Sequence, residues 1–253
     1  MKNTFLNYSD ALSGCPGKGY SNPDLVKVVV EKNIIFRDRL LISSPPTLDL
    51  NSARTLLGIS LAISDGKLTV LDFGGGGGYH YFIARAALPK DVLLDWRVVE
   101  TPAMVTLAHD RLSNNELHFF DSIQHATQDN KDFDLLFSSG SLQYCPDPKW
   151  TLTEMLGVGA KHLFITRTPF SEEEAYIAIQ QSRLKDNGPG PFPPGFDDCE
   201  ISYPITFILK RETEEILKSK YTIRFSINEE GGYFSVDNKV VDSQFGYFCD
   251  LGS

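Results

Sequence analysis

At 253 residues and 42% hydrophobic content, the chain is long enough to bury the core of one α/β domain with a cap, or of two small domains. Its formal charge of −9 argues against a broad electrostatic grip on nucleic acid, whose phosphates need clustered Lys and Arg. No apolar run approaches the ~20 residues of a membrane helix, and Met1 to Gly19 lacks the apolar centre of a signal peptide. Cys15, Cys145, Cys199 and Cys249 are scattered without a Cys-x-x-Cys pair, which indicates neither a zinc site nor a disulfide framework. The expectation is a reduced, cytoplasmic protein that engages neither nucleic acid nor membrane.

The first sixty or so residues read as a helical preface. Asn22-Pro23-Asp24 can start a helix, with Asn22 as cap and Pro23 at the first position, and Leu25, Val28, Val29 and Lys32 fit a helical stripe. Ser44-Pro45-Pro46 breaks the chain, and Asn51 to Ile63 reads as a second amphipathic helix ending near Asp65-Gly66.

From Lys67 onward strands and helices alternate, which predicts a mainly parallel sheet. The expected strands are Leu68–Phe73, Asp95–Val99, Leu117–Phe120, Phe133–Ser138 and His162–Thr166, with helices beginning near Tyr79 and spanning Pro102 to Leu112. A later helix, Arg211 to Lys218, precedes strand candidates Tyr221–Ile227, Tyr233–Val236 and Phe245–Leu251. These leave no room for intervening helices and must pair in antiparallel fashion. Ser171 to Pro204 reads as a long irregular stretch whose centre, Asn187 to Phe196, is rich in Pro and Gly. Phe192, Phe196 and Tyr203 favour a lid over a solvated linker.

The most informative run is Val70 to His80, where an apolar strand leads through Asp72 into five consecutive glycines, Gly74 to Gly78. Glycine admits backbone conformations closed to other residues and lets a ligand approach the main chain. The dinucleotide fingerprint Gly-x-Gly-x-x-Gly fails in register: its third glycine falls on Tyr79 from Gly74 and on His80 from Gly75, and an earlier start needs Phe73. Asp-x-Gly-x-Gly-x-Gly fits Asp72, Gly74, Gly76 and Gly78 without a gap. In this the sequence resembles motif I of the class I S-adenosylmethionine-dependent methyltransferases. A carboxylate beside the loop, with Gly75 between, suits the ammonium and sulfonium of that donor and would repel phosphates. The rival readings are a nicotinamide-dependent oxidoreductase and a non-catalytic partner that binds the same donor. An RNA or protein methyltransferase is disfavoured by the negative charge and the lack of a basic, aromatic-rich appendage.

Glu100 ends the second strand about twenty residues past the loop, where an acid accepts both ribose hydroxyls in nucleoside-binding α/β folds. Asp121, ending the third strand, is positioned for the adenine amino group, with Ser122 and Ile123 lining the base. Ser139 and Gln143 follow the fourth strand and can contact donor or acceptor, or cap a helix. Arg167 follows the fifth strand, where its planar fork can hold a carboxylate or phosphate on the acceptor or form a structural salt bridge. His80 is the candidate general base, although transfer from an activated sulfonium can proceed by positioning alone.

Asp72-Phe-Gly-Gly, Val-Val-Glu100, Ser139-x-x-Leu-Gln-Tyr144, Arg167-Thr-Pro-Phe170 and Ser202-Tyr-Pro204 occur together and in order. As a set they resemble a family of bacterial methyltransferases often found among genes for surface-polysaccharide biosynthesis and largely without defined substrates. The resemblance implies a Rossmann-like class I methyltransferase fold, α/β, with a mainly parallel seven-stranded sheet, a terminal antiparallel hairpin and an N-terminal helical cap. It implies a cap over 1–64, a donor-binding domain over 65–253 with a lid insertion at 171–204, and S-adenosyl-L-methionine as cofactor. The expected acceptor is a small polar molecule, such as a sugar or sugar nucleotide, methylated on oxygen or nitrogen. His80, Tyr144 and Arg167 are the catalytic candidates. Asp72, Gly74, Gly75, Gly76, Gly78, Glu100, Asp121, Ser122 and Ser139 are the donor-binding candidates. No metal is expected, Gly77 has no assigned role, and the oligomeric state is open.

Overall fold

The computed structural model describes residues 4–15, 19–43, 45–49, 52–229, 234–236, 239–241 and 244–252. The expected break at Ser44, the helix start at Asn51 and the strand residue Tyr233 lie outside them. The N-terminal part carries α1 (Tyr8–Ser13), α2 (Pro23–Ile42) and α3 (Ser52–Ala62). Asn22 caps α2 as its sequence requires: its side-chain oxygen accepts from the backbone N–H groups of Asp24 (2.9 Å) and Leu25 (3.3 Å), with Pro23 in the first turn.

The alternating part runs β1 (Lys67–Phe73), α4 (Tyr79–Ala87), β2 (Leu93–Val99), α5 (Pro102–Leu112), β3 (Leu117–Phe120), α6 (Ile123–Ala126), β4 (Leu135–Ser139), α7 (Pro148–Val158) and β5 (His162–Ser171). It continues through β6 (Tyr176–Arg183), β7 (Glu200–Leu209), α8 (Lys210–Lys218) and β8 (Tyr221–Glu229), then β9 (Phe234–Val236), β10 (Lys239–Val241) and β11 (Gln244–Leu251). The main sheet has the order β3-β2-β1-β4-β5-β11-β8. β1 to β5 are parallel, and β11 runs antiparallel between β5 and β8. The expected mainly parallel sheet with an antiparallel end is present, but it has nine strands rather than seven, because β7 and β6 join it through β5. Among the described residues β9 pairs only with β10, in a separate small ribbon.

Successive strand residues point to opposite faces, and the sequence supplies apolar side chains to both. Val70, Phe137, Phe164 and Phe248 face a core covered by α2, α3, α4 and α5. Their neighbours Leu71, Leu136, Leu163, Ile165, Tyr247 and Cys249 face a second core under α6, α7 and α8. The N-terminal helices thus form part of the sheet's own covering layer. At Gly58 of α3 an added Cβ would lie 2.8 Å from the Phe164 ring, so the helix approaches β5 closely.

The lid departs from the sequence expectation. Ser171 to Pro204 is irregular only at its centre, because β6 and β7 form an antiparallel hairpin from Tyr176↔Phe207 to Arg183↔Glu200. The last residues of β7 pair in parallel with the end of β5, through Phe170↔Ile208 and Ser171↔Leu209. Ile201, Tyr203, Ile205 and Phe207 alternate as a strand should, but Pro204 and the Pro/Gly-rich stretch beside them mask that period. The remaining loop, 184–199, folds back over α2. Lys32 Nζ donates to the Lys185 carbonyl at 2.6 Å, and a Cβ at Gly188 would lie 3.3 Å from Val29 Cα. Phe192 and Phe196 pack on a cluster that includes Leu25 and Val28 of α2. Among the described residues no helix is long and apolar enough to cross a membrane.

Candidate active site

β1 is flanked by β2 on one side and β4 on the other, so the direction of winding reverses at its carboxyl end. Open α/β sheets leave a crevice at such a switch point. Here it is a cleft of about 1020 Å³, roofed by α2 and the lid. Gly74, Gly75, Gly76, Tyr79, His80, Glu100, Thr101, Asp121, Ser139, Gln143, Tyr144 and Arg167 line it together.

The glycine loop is shaped by two different demands. Gly76 (φ 58°) and Gly78 (φ 89°) take left-handed conformations that a side chain would strain. Gly75 and Gly77 are instead needed for space. A Cβ at Gly75 would lie 2.4 Å from Asp72 Oδ2, and one at Gly77 would lie 2.8 to 2.9 Å from three side-chain atoms of Asn33. Gly77 therefore acquires a role: it admits Asn33 from α2 against the loop. Ser141 braces the other side, with its hydroxyl donating to the Phe73 carbonyl at 2.8 Å.

Asp72 is fully buried and turned away from the cleft. Its Oδ2 accepts from Trp96 Nε1 at 3.0 Å and lies 2.9 Å from His80 Nδ1. Both oxygens are engaged inside the fold, and Asp72 is not among the cleft-lining residues, so the carboxylate meets the loop from beneath. His80 is buried between Asp72 and Phe137, with ring centroids 4.7 Å apart. Its Nδ1 faces both oxygens of the Asp72 carboxylate, at 3.1 and 2.9 Å.

Glu100 stands at the end of β2 with Oε1 accepting from the Gly76 N–H (3.1 Å) and Oε2 from the Thr101 N–H (2.8 Å). Burial raises its pKa above the ordinary carboxylate value; the two N–H donors oppose that, and the Asp72 charge adds to it. The bonds fix the carboxylate across the mouth of the loop while each oxygen retains acceptor capacity. Asp121 lies at the cleft margin and is more exposed, 2.6 Å from His125 Nδ1, whose hydrogen bond holds its pKa below the usual range. Ser122 serves as N-cap of α6, its hydroxyl accepting from the His125 N–H, and is not among the cleft-lining side chains.

At the other end, Ser139 closes β4 and accepts from the Thr166 hydroxyl at 2.9 Å. Tyr144 packs with Tyr20 and Tyr203, its centroid 4.8 and 5.2 Å from theirs, and donates to Gln180 of β6 at 3.0 Å. Burial pushes its phenol pKa well up, so the group stays protonated. Arg167 has φ 56°, a conformation rare for a non-glycine residue, inside the long strand β5. Gln143 Nε2 donates to its carbonyl at 3.2 Å.

Sequence reasoning missed Asn33, Thr101 and Arg54, all of which line the cleft. Asn33 Oδ1, Thr101 Oγ1 and Gln143 Oε1 are buried without a hydrogen-bond partner. Both amides are oriented by their nitrogens, which donate to the carbonyls of Val29 and Arg167, so the free atoms are oxygens. The signal for Asn33 was a polar residue within the apolar stripe of α2.

No family model and no curated protein matches this chain. Among solved structures it is similar to an S-adenosylmethionine-dependent methyltransferase from Clostridium acetobutylicum ATCC 824, with 14% identity, a TM-score of 0.52, and coverage of 88% of this chain and 99% of that one. It is also similar to the N-terminal domain of EvdMO1 with SAH bound, with 11% identity, a TM-score of 0.50, and coverage of 81% and 82%. At such identities the likeness speaks for architecture: the chain has the Rossmann-like fold of a class I methyltransferase.

Proposed function

We propose that this protein is an S-adenosylmethionine-dependent methyltransferase that methylates an oxygen or nitrogen of a small polar acceptor, such as a sugar. The observation that carries the reading is Glu100, tied to the glycine loop through the Gly76 N–H and open to the same cleft. The residues fit the donor. A carboxylate suits a cis-diol, the loop has no Cβ to block approach to its backbone, and three buried polar oxygens line the cleft without partners.

In this reading Glu100 accepts the ribose hydroxyls and Asp121 the adenine amino group. Gly74 to Gly76 bring the main chain against the donor, and Ser139 stands near its methionine end. The bound donor supplies an activated methyl on a sulfonium. Asp72 acts indirectly, by holding His80 and Trp96 beneath the loop. His80, oriented through Nδ1, offers Nε2 to take the acceptor's proton. Tyr144 is too weak an acid to ionise and act as a base, and with its one O–H given to Gln180 its phenol oxygen is left to accept a hydrogen bond from the acceptor. The hairpin β6–β7 and the 184–199 loop exclude water.

Calorimetry with S-adenosylhomocysteine tests the donor assignment. Binding by the wild type, and loss of at least tenfold in affinity in Glu100→Ala, are expected. No binding, or unchanged affinity in the variant, removes it. Binding without transfer to any of a broad acceptor panel would favour a non-catalytic donor-binding partner.

A further inference from the structure

The end of the cleft under the lid carries two amides whose hydrogen bonding is incomplete. Gln143 lies in the short turn after β4, is 1% exposed, and donates from Nε2 to the Arg167 carbonyl at 3.2 Å. That bond fixes the amide and leaves Oε1 buried without a partner. Gln180 stands in β6, on the lid hairpin, and its Oε1 accepts from the Tyr144 hydroxyl at 3.0 Å. Among the described residues its two N–H donors have no partner. Both amides reach one phenol, because Gln143 also acts on Tyr144, opposing the rise of its pKa. Both line the cleft.

The hairpin brings these groups together. Gln180 pairs across it with Tyr203 of β7, and directly opposed residues of an antiparallel pair share a face. Tyr203 packs on Tyr144 and Tyr20, with centroids 5.2 and 4.5 Å apart, which makes an aromatic wall beside the amides. Glu100, at the end of β2, is two strands from β4, about 10 Å at the usual spacing. A donor nucleoside held there leaves the hairpin side to the acceptor. Beyond the two acids assigned to the donor, Asp49 and Asp186 line the cleft together with Arg54 and Arg167, so formal charge singles out neither an anion nor a cation.

We infer that the acceptor is an uncharged, hydroxyl-bearing ring seated against the lid hairpin, with a hydroxyl donating to Gln143 Oε1 and accepting from Gln180 Nε2. The inference rests on the methyl-donor reading and narrows its acceptor to a neutral alcohol. A hydroxyl supplies a donor and an acceptor at once, whereas an ammonium supplies donors alone and a carboxylate acceptors alone. Either ion would leave one amide unmatched in a site that excludes water, at the cost of that amide's desolvation. The aromatic wall buries the apolar face of a ring.

The test is a titration of 15N-labelled protein saturated with S-adenosylhomocysteine, following the side-chain NH2 signals of Gln143 and Gln180. Gln143→Met and Gln180→Met assign them. Glucose, galactose and mannose are the neutral probes, and acetate and methylammonium the charged ones. Both amides are expected to respond to at least one sugar at a concentration at which neither ion moves them. Gln180→Glu keeps the oxygen that Tyr144 uses and removes the two N–H donors. It is expected to weaken sugar binding at least fivefold with unchanged affinity for S-adenosylhomocysteine. Movement with an ion at the lower concentration, stationary signals from either amide, or sugar binding by Gln180→Glu at the wild-type level overturns the inference. So does a Gln143 signal that moves when S-adenosylhomocysteine is added and then ignores sugar, because that amide would serve the donor's ammonium. Calorimetry on the same samples separates the two readings: without binding of S-adenosylhomocysteine both fall, whereas binding with stationary glutamine signals removes the alcohol subsite alone.

Discussion

Asp72 and His80 form a buried pair, Oδ2 and Nδ1 2.9 Å apart, directly beneath the loop that the aspartate introduces. Asp72 also accepts from Trp96, so replacing it with Ala strands two buried donors. The expected loss is about 3 kcal/mol, typical of breaking a buried charged hydrogen-bonded pair. Chemical denaturation of Asp72→Ala checks this. An unchanged midpoint would mean that the carboxylate does not hold the loop from below.

Gly77 and Asn33 compete for one volume. Gly77→Ala is expected to destabilise by about 1–3 kcal/mol through overpacking. In an Asn33→Ala background the same substitution has room, so the double-mutant cycle shows coupling of about 1 kcal/mol or more. Additive effects would contradict the contact.

Arg167 separates a backbone effect from a side-chain effect. Arg167→Ala and Arg167→Gly both remove the guanidinium, but only glycine is at ease at φ 56°. The glycine variant is expected to be about 1 kcal/mol more stable than the alanine variant. Paired melting curves decide it, and an alanine variant of equal or greater stability would show that the position is unstrained.

Glu100 gives the pH dependence. Its folded-state pKa is raised above the ordinary 4.5, chiefly by burial. Between these two values the native state binds more protons than the unfolded chain. Its contribution to stability is therefore greatest at low pH and falls as pH rises through that window. The melting temperature of the wild type relative to Glu100→Gln should decline across the window, while affinity for S-adenosylhomocysteine rises as the carboxylate ionises. A difference that is flat with pH would count against the assignment.

The lid contact is also testable. Lys32 is buried and donates to the Lys185 carbonyl. Lys32→Ala leaves that carbonyl without the bond and is expected to speed proteolysis within 184–199 several-fold. Cleavage at the wild-type rate would show that the loop is held by other contacts.

Much of the cleft wall built by β1 and β2 was legible in the sequence because its signals are local. Strands announce themselves by short apolar runs, and α5 begins and ends at Pro102 and Leu112 as expected. Asp-x-Gly-x-Gly-x-Gly and the acid at Glu100 are fixed by spacing from one strand end to the next. The β6–β7 hairpin was hidden because its pairing joins Tyr176 to Phe207 across a Pro/Gly-rich loop, and no short window contains both strands.

By itself the sequence determined the order of β1 to β5 with α4 and α5 between them, the glycine turn at the end of β1, and the acid that faces it from β2. Hydrophobic period and turn chemistry act over a few residues, and those are the features they govern. Only the tertiary structure decided which way each group turns. Asp72 faces inward because His80 and Trp96 satisfy it there, and Gly77 is glycine because Asn33 arrives from a distant helix. Arg54 and Arg167 come to one end of the cleft because α3 packs over the strand that carries Arg167. These relationships arise from close packing between segments far apart in the chain, which no local pattern records.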